Sequence, residues 1–416
     1  MSGLRERLRA LQARGKLVYY VSIATVLSLV FFPAIELVLQ AVGVVPSVTF
    51  YDFIGAFQTA GQRVLGPEPL YARVENPYVY PPIVSLAFVP FAPLPPMVAG
   101  AVWVVLTFGF LYWCIVQLLD SLSVSLSRGE HAVLVAALLG FFPTILWIKS
   151  GQVSGAIAGL FCIAAALAER HRGGDVTRRR LAGATTAVTA LVKPMYAPAC
   201  AHLLRDRRRL SGGILGVVAL YVGSFLVFGV ETLRDYVGVL LLGKGWGQEA
   251  DPGGVSGALT DWGPSIFRPF AVFGDAAVLV HFAVAGVVAL ATLASVTRRD
   301  AQLDRHVLCL GFLTVPFASP IPDLYAVYAT VPALVIVLVD EFRRERGYPL
   351  VPVLGVLSLH VHAYVLGFFA GFGTRFVPSV SALEPLLPLL QTGVWGLAAV
   401  FVLQGSRAVG RWRAVG

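Results

Sequence analysis

Apolar stretches of about 18 to 25 residues recur from Val18 to the C-terminus, separated by short polar or basic segments. Each is long enough to cross a hydrocarbon core of roughly 30 Å as a helix rising about 1.5 Å per residue. No stretch reads as a separate soluble domain, so residues 1–416 form one integral membrane domain. Positively charged loops stay cytoplasmic, which lets the basic clusters set the side of every span. Six clusters serve: Arg5–Lys16, Arg170–Arg180, Arg205–Arg209, Arg298–Arg305, Arg343–Arg346 and Arg407–Arg413. With all six inside, a first span over about Leu17–Val42 leads out to an external loop at residues 43–80. Residues 81–96 are short and carry six prolines, which suits a re-entrant or interfacial hairpin.

Spans are then expected at Val98–Leu119, His131–Ile148 and Val153–Ala168, which puts Lys149 to Gln152 outside. Residues 181–204 lie between two inside clusters with Lys193-Pro194 midway. One crossing would break the charge rule, whereas a hairpin that turns at Lys193-Pro194 keeps it. Gly212–Val230 goes out, residues 231–266 form a second external loop, and Ala276–Val296 returns. Spans near His306–Ala318, Leu324–Val339, Leu350–Gly371 and Leu386–Gln404 complete an all-α polytopic fold of about ten to twelve transmembrane or re-entrant helices.

Composition agrees with that class: 57% of residues are hydrophobic and 13% charged. The net charge of +9 sits in short clusters between apolar segments, so its partner is the anionic inner leaflet and not nucleic acid. The basic N-terminus precedes an apolar run without a small-residue cleavage site and reads as a retained signal anchor. Cys114, Cys162, Cys200 and Cys309 lie in apolar stretches without CxxC spacing and read as packing residues.

The remaining polar residues test a map drawn from basic clusters alone. Asp52, Glu68, Glu75, Gln152, Lys244, Asp251, Asp261, Asp323, Arg375 and Glu384 all fall in outer loops or at outer span ends. Ordinary loop polarity accounts for Glu75, Lys244, Glu249 and Asp251. Asp52 differs, because it lies within the apolar, aromatic run Val48 to Ile54; partial desolvation there would strengthen it as acceptor of a hydroxyl proton. Asp323 follows a tight proline turn and reads as either a functional carboxylate or a helix cap. Lys193 is the most deeply placed charge on this map. It needs water or an anionic partner, the latter either a lipid phosphate in a cavity or a carboxylate such as Glu36. His131, His281, His306, His360 and His362 lack ligand spacing and read as structural.

Taken in order, these landmarks resemble a known family. Tyr51-Asp52-Phe53, Gly66-Pro67-Glu68-Pro69-Leu70-Tyr71 and Tyr78-Val79-Tyr80-Pro81-Pro82 resemble the first external loop of family 87 glycosyltransferases. Ser150-Gly151-Gln152, Ala182-Gly183 followed by Lys193-Pro194, and Ala318-Ser319-Pro320 extend the likeness over roughly residues 45 to 330. The resemblance implies a GT-C-like bundle with extended external loops and a polyprenyl-phosphate-mannose donor. It also implies inversion at the transferred carbon and an aspartate base in the first external loop, here Asp52. Some members carry histidine soon after the Ser-Pro motif, where this chain has Asp323, Tyr325 and Tyr328, so no histidine role carries over.

The expected enzyme moves a hexose, mannose by resemblance, from the lipid-linked donor to a glycolipid or glycan acceptor at the outer face of the plasma membrane. Donor and acceptor would be met by Glu68, Tyr71, Tyr80, Gln152, Lys193, Ser319, Asp323, Tyr325 and Arg375. Tyrosines suit a groove apolar at one end and wet at the other. No cofactor is implied and no metal site is assigned, since spacing does not place two carboxylates at ligand distance. The rival reading is a transporter or flippase of lipid-linked sugars. Broken segments do not recur in matching halves as that reading requires.

Overall fold

The computed structural model describes residues 49–71, 78–170, 175–241, 267–298, 300–319, 324–366, 369 and 386–415. The first predicted span, Glu36, Asp323, Arg375 and most of the second external loop lie outside these residues.

Every described regular element is helical, as the periodicity predicts. A π-helical turn at Phe53–Gln58 leads into α1 (Thr59–Leu65), and a 3-10 segment at Pro82–Phe91 into α2 (Pro96–Ser121). α3 (Arg128–Gly140), α4 (Phe142–Ser150), α5 (Ser154–Arg170) and α6 (Val176–Val192) follow. A 3-10 segment at Pro194–Arg205 precedes α7 (Arg207–Leu241). The chain continues through α8 (Ala277–Ala294), α9 (Ala301–Ala318), a 3-10 segment at Leu324–Thr330, α10 (Val331–Arg343), α11 (Leu350–Leu366) and α12 (Thr392–Ala414).

Local chemistry accounts for several ends. Pro96 opens α2, where a missing N–H costs nothing. Ser127 and Glu130 form a reciprocal capping box on α3. Asp175 and Asp300 cap α6 and α9 through the amides of Thr177 and Leu303.

Among the described residues three helices are long and apolar enough to span alone: Pro96–Ser121, Arg207–Leu240 and Ala277–Ala294. A fourth span results if α3 and α4 count as one, bent by 64°. The expected span at His131–Ile148 thus falls within this bent pair, as a broken helix. Pro143 is the cause, because it cannot donate to the turn before it and its ring crowds that turn. The tract after Val230 is corrected: α7 continues to Leu241, with a non-helical break at Gly229 (φ 76°, ψ 176°). α7 and α8 leave Leu226, Val227, Leu279, Phe282 and Leu290 uncovered, the outward faces of helices set in lipid.

One end of the bundle is held by ion pairs between the basic clusters. Arg179 meets Asp206 at 2.9 Å, Arg209 meets Asp304 at 2.6 Å and Arg411 meets Asp300 at 2.6 Å. Arg305 bridges Glu169 and Asp340, and Arg407 meets Glu341 at 2.7 Å. The Arg179–Asp206 pair ties the foot of α6 to the foot of the segment Pro194–Arg205. That chain therefore rises from the charged end, turns at Lys193, and comes back to it.

Candidate active site

The opposite end is built on the turn between α4 and α5. Gly151 ends α4 in the left-handed region, at φ 71°, and a Cβ there would lie 2.6 Å from the Phe53 Cβ, so only glycine fits. Two indoles hold the turn's carbonyls: Trp103 Nε1 donates to Gly151 at 3.1 Å, and Trp147 Nε1 donates to Gln152. The Phe50 amide donates to the Lys149 carbonyl at 2.6 Å and fastens the first loop to the same turn. The Phe53 ring stacks on Trp103 with centroids 5.6 Å apart, which seats Asp52 beside Gln152.

The Gln152 side chain joins three chain segments. Its Nε2 donates to Asp52 Oδ2 at 2.7 Å, and its Oε1 accepts from Lys193 Nζ at 3.0 Å and from the Tyr80 hydroxyl at 3.3 Å. This pattern fixes the amide's orientation, since the donor end meets a carboxylate and the acceptor end meets two donors. Lys193 Nζ also stands 5.7 Å from the centre of the Tyr80 ring. Gln152 and Tyr80 are buried, while Asp52 and Lys193 are half-buried.

Burial pushes the Tyr80 hydroxyl well above the ordinary phenol range, and the neighbouring Asp52 carboxylate adds to the effect. Tyr80 is therefore a hydrogen-bond donor at neutral pH, beside the Asp52 carboxylate. Among the described residues no three His, Cys, Asp or Glu side chains converge as a cation site would need.

The structure brings Asp52, Tyr80, Gln152 and Lys193 together, with Tyr71 behind them donating to the Tyr80 carbonyl at 2.6 Å. Glu68 is exposed and sits 3.6 Å from Arg63, with no hydrogen bond or ion pair to the cluster among the described residues. Ser319 is buried where α9 ends. Asp323, Arg375 and the Tyr325 side chain fall outside the described residues. Sequence reasoning passed over the supporting groups Phe50, Trp103 and Trp147; Tyr328, noted after the Ser-Pro motif, donates its hydroxyl to Thr144 behind Trp147. A glycine between Ser150 and Gln152 at a span end was the one available signal, since such a glycine marks a left-handed helix stop.

Neither curated proteins nor solved structures yield a match to this chain. The sequence pattern of glycosyltransferase family 87 is matched over residues 78–320, more than half of the chain, and that range holds Tyr80, Gln152 and Lys193 while Asp52 and Tyr71 lie just ahead of it. On that match, the chain belongs to glycosyltransferase family 87.

Proposed function

We propose that this glycosyltransferase moves a hexose, mannose in the family's manner, from a polyprenyl-phosphate donor to a glycolipid or glycan acceptor. The reaction centre would face the exterior of the plasma membrane, with the N-terminus inside. The observation that carries the reading is the Gln152 amide, which holds a carboxylate on one side and an ammonium on the other. A transferase of this kind needs those two charges side by side.

Asp52 takes the proton of the acceptor hydroxyl, and that oxygen attacks the anomeric carbon from the face opposite the lipid phosphate. As the new glycosidic bond forms, the bond to the phosphate oxygen breaks, and the configuration inverts. The leaving phosphate gathers negative charge, which Lys193 meets as a point charge, with Arg375 as a further cation from the last external loop. Gln152 orients both groups, and Tyr80 donates to that amide without titrating. The free lipid phosphate stays in the bilayer, so the centre must open sideways to lipid.

Substitution of Asp52 tests this directly. Asp52→Asn in folded, detergent-solubilised protein should lower consumption of radiolabelled mannosyl lipid by about a thousandfold or more while donor binding persists. A rate within tenfold of the parent would reject Asp52 as base. Label that moves only across vesicles, without reaching any acceptor, would reject transfer itself.

A further inference from the structure

The break at Gly229 sends the rest of α7 back along its own first part. Tyr221 and Tyr236 are about 22 Å apart along a straight helix, yet their ring centroids lie 6.4 Å from each other. The returned part brings Tyr236, fully buried, to 5.9 Å from the Tyr71 ring. Tyr71 in turn packs 5.9 Å from Tyr78, which packs 5.5 Å from Tyr80. Beyond these ring contacts runs one polar line. The Tyr71 hydroxyl donates to the Tyr80 carbonyl at 2.6 Å, and the Tyr80 hydroxyl donates to Gln152 at 3.3 Å.

We propose that Tyr71 is a positioning residue for the reaction centre and that Tyr236, on the returned part of α7, is the group that seats it. This rests on reading Asp52, Gln152 and Lys193 as that centre. Neither tyrosine touches the reacting atoms. Burial holds the Tyr71 hydroxyl far above the ordinary phenol range, so it acts as a fixed donor. Its bond sets where the Tyr80 backbone lies and hence where the Tyr80 hydroxyl meets the amide that aims Asp52. A centre that must present its base within about half an ångström of the productive position is sensitive to such a tether.

The test uses the full chain in detergent with the variants Tyr71→Phe, Tyr236→Phe and Tyr236→Leu, each made alone and in a Gln152→Met background. Y71F keeps the ring and loses one hydrogen bond, so its melting temperature should match the parent's while kcat falls about tenfold with donor KM unchanged. Y236F should behave as the parent because the ring does the seating. Y236L should reproduce the kcat loss of Y71F. In the Q152M background Y71F should cost no more than about twofold, because the group it serves is already gone.

A Y71F enzyme with parental kcat overturns the proposal. So does a tenfold loss that persists undiminished in Q152M, since the tyrosine would then support the fold and not the amide. If Y236L does not fold, the Y71F cycle still decides. An Asp52→Asn enzyme that stays active would instead remove the reading of the centre itself, whatever the tyrosines do.

Discussion

Gln152→Met removes both polar ends of the side chain that joins the candidate base to the candidate cation, while keeping its length and most of its volume. Two hydrogen bonds to ionised groups are lost, one of 2.7 Å to Asp52 and one of 3.0 Å from Lys193. Bonds of that kind contribute about 1.5–3 kcal/mol each. Asp52 and Lys193 are half-buried, so the lower end applies and the pair together is worth ~3 kcal/mol of correct placement. At ~1.4 kcal/mol per tenfold, kcat/KM should fall by about a hundredfold. Most of the loss should appear in kcat, because neither bond is made to substrate. Gln152→Glu gives a second reading of the same contact. It places a carboxylate about where the amide nitrogen met Asp52, and two carboxylates at that range hold a proton between them. A base that works ionised then needs a higher pH, so the acidic limb of the pH–rate profile should move upward. Initial rates of mannosyl-lipid turnover from pH 5 to 9, with unfolding midpoints as a control, measure both effects. A Q152M enzyme within threefold of the parent, at an unchanged midpoint, would refute the bridging role.

Gly151→Ala should destabilise by about 1–3 kcal/mol, read as a lowered unfolding midpoint, because it adds a Cβ at φ 71° and 2.6 Å from the Phe53 Cβ. Turnover should fall with it, since Phe53 adjoins Asp52. Arg305→Ala leaves Glu169 and Asp340 facing each other at the charged end, and ~3–5 kcal/mol of stability should be lost, with part recovered in Arg305→Lys. The Arg411 guanidinium holds the Asp300 carboxyl down at about 2, helped by the Leu303 amide. A depressed carboxylate stabilises above its unfolded value near 4 and stops doing so as pH falls toward 2. The midpoint difference between the parent and Asp300→Asn should therefore be full above about pH 4 and vanish near pH 2. A difference that persists there argues against the pairing.

Straight helices were legible because their apolar length is a direct consequence of crossing lipid. The expected Val98–Leu119 and Val153–Ala168 lie within α2 and nearly within α5, whose polar ends the hydropathy pattern misses by two residues or so. Changes of direction were not legible. Gly223 and Gly229 sit in the same apolar stretch and look alike in sequence, yet one stays helical and the other turns the chain. Pro143 stands as a breaker inside the His131–Ile148 run, and apolar length alone does not register it. In the site, Lys193 drew notice because a cation in an apolar hairpin is costly, and Asp52 because its neighbours are aromatic. The partnership of both with Gln152 needed three-dimensional information. It depends on the tip of one hairpin and the start of another helix reaching the same height. Trp103 and Trp147 drew no reading, since nothing in sequence says where an indole N–H points.

That common height bears on the donor. α5 and α6 each have 17 residues, about 25 Å of helix, between the charged end and the centre. α2 gives a third measure: from Trp103, which holds the Gly151 carbonyl, to Leu122, whose carbonyl accepts from Arg343, its length is about 28 Å. Three helices thus set the centre roughly one hydrocarbon thickness from the arginine layer. In the proposed orientation, with the arginines at the inner headgroups, the Asp52–Gln152–Lys193 cluster would stand at the depth of outer-leaflet phosphates. A water-soluble sugar nucleotide has no need of that depth, whereas a phosphate on a polyprenyl chain is confined to it. That depth suits the lipid-linked donor of the proposed reaction.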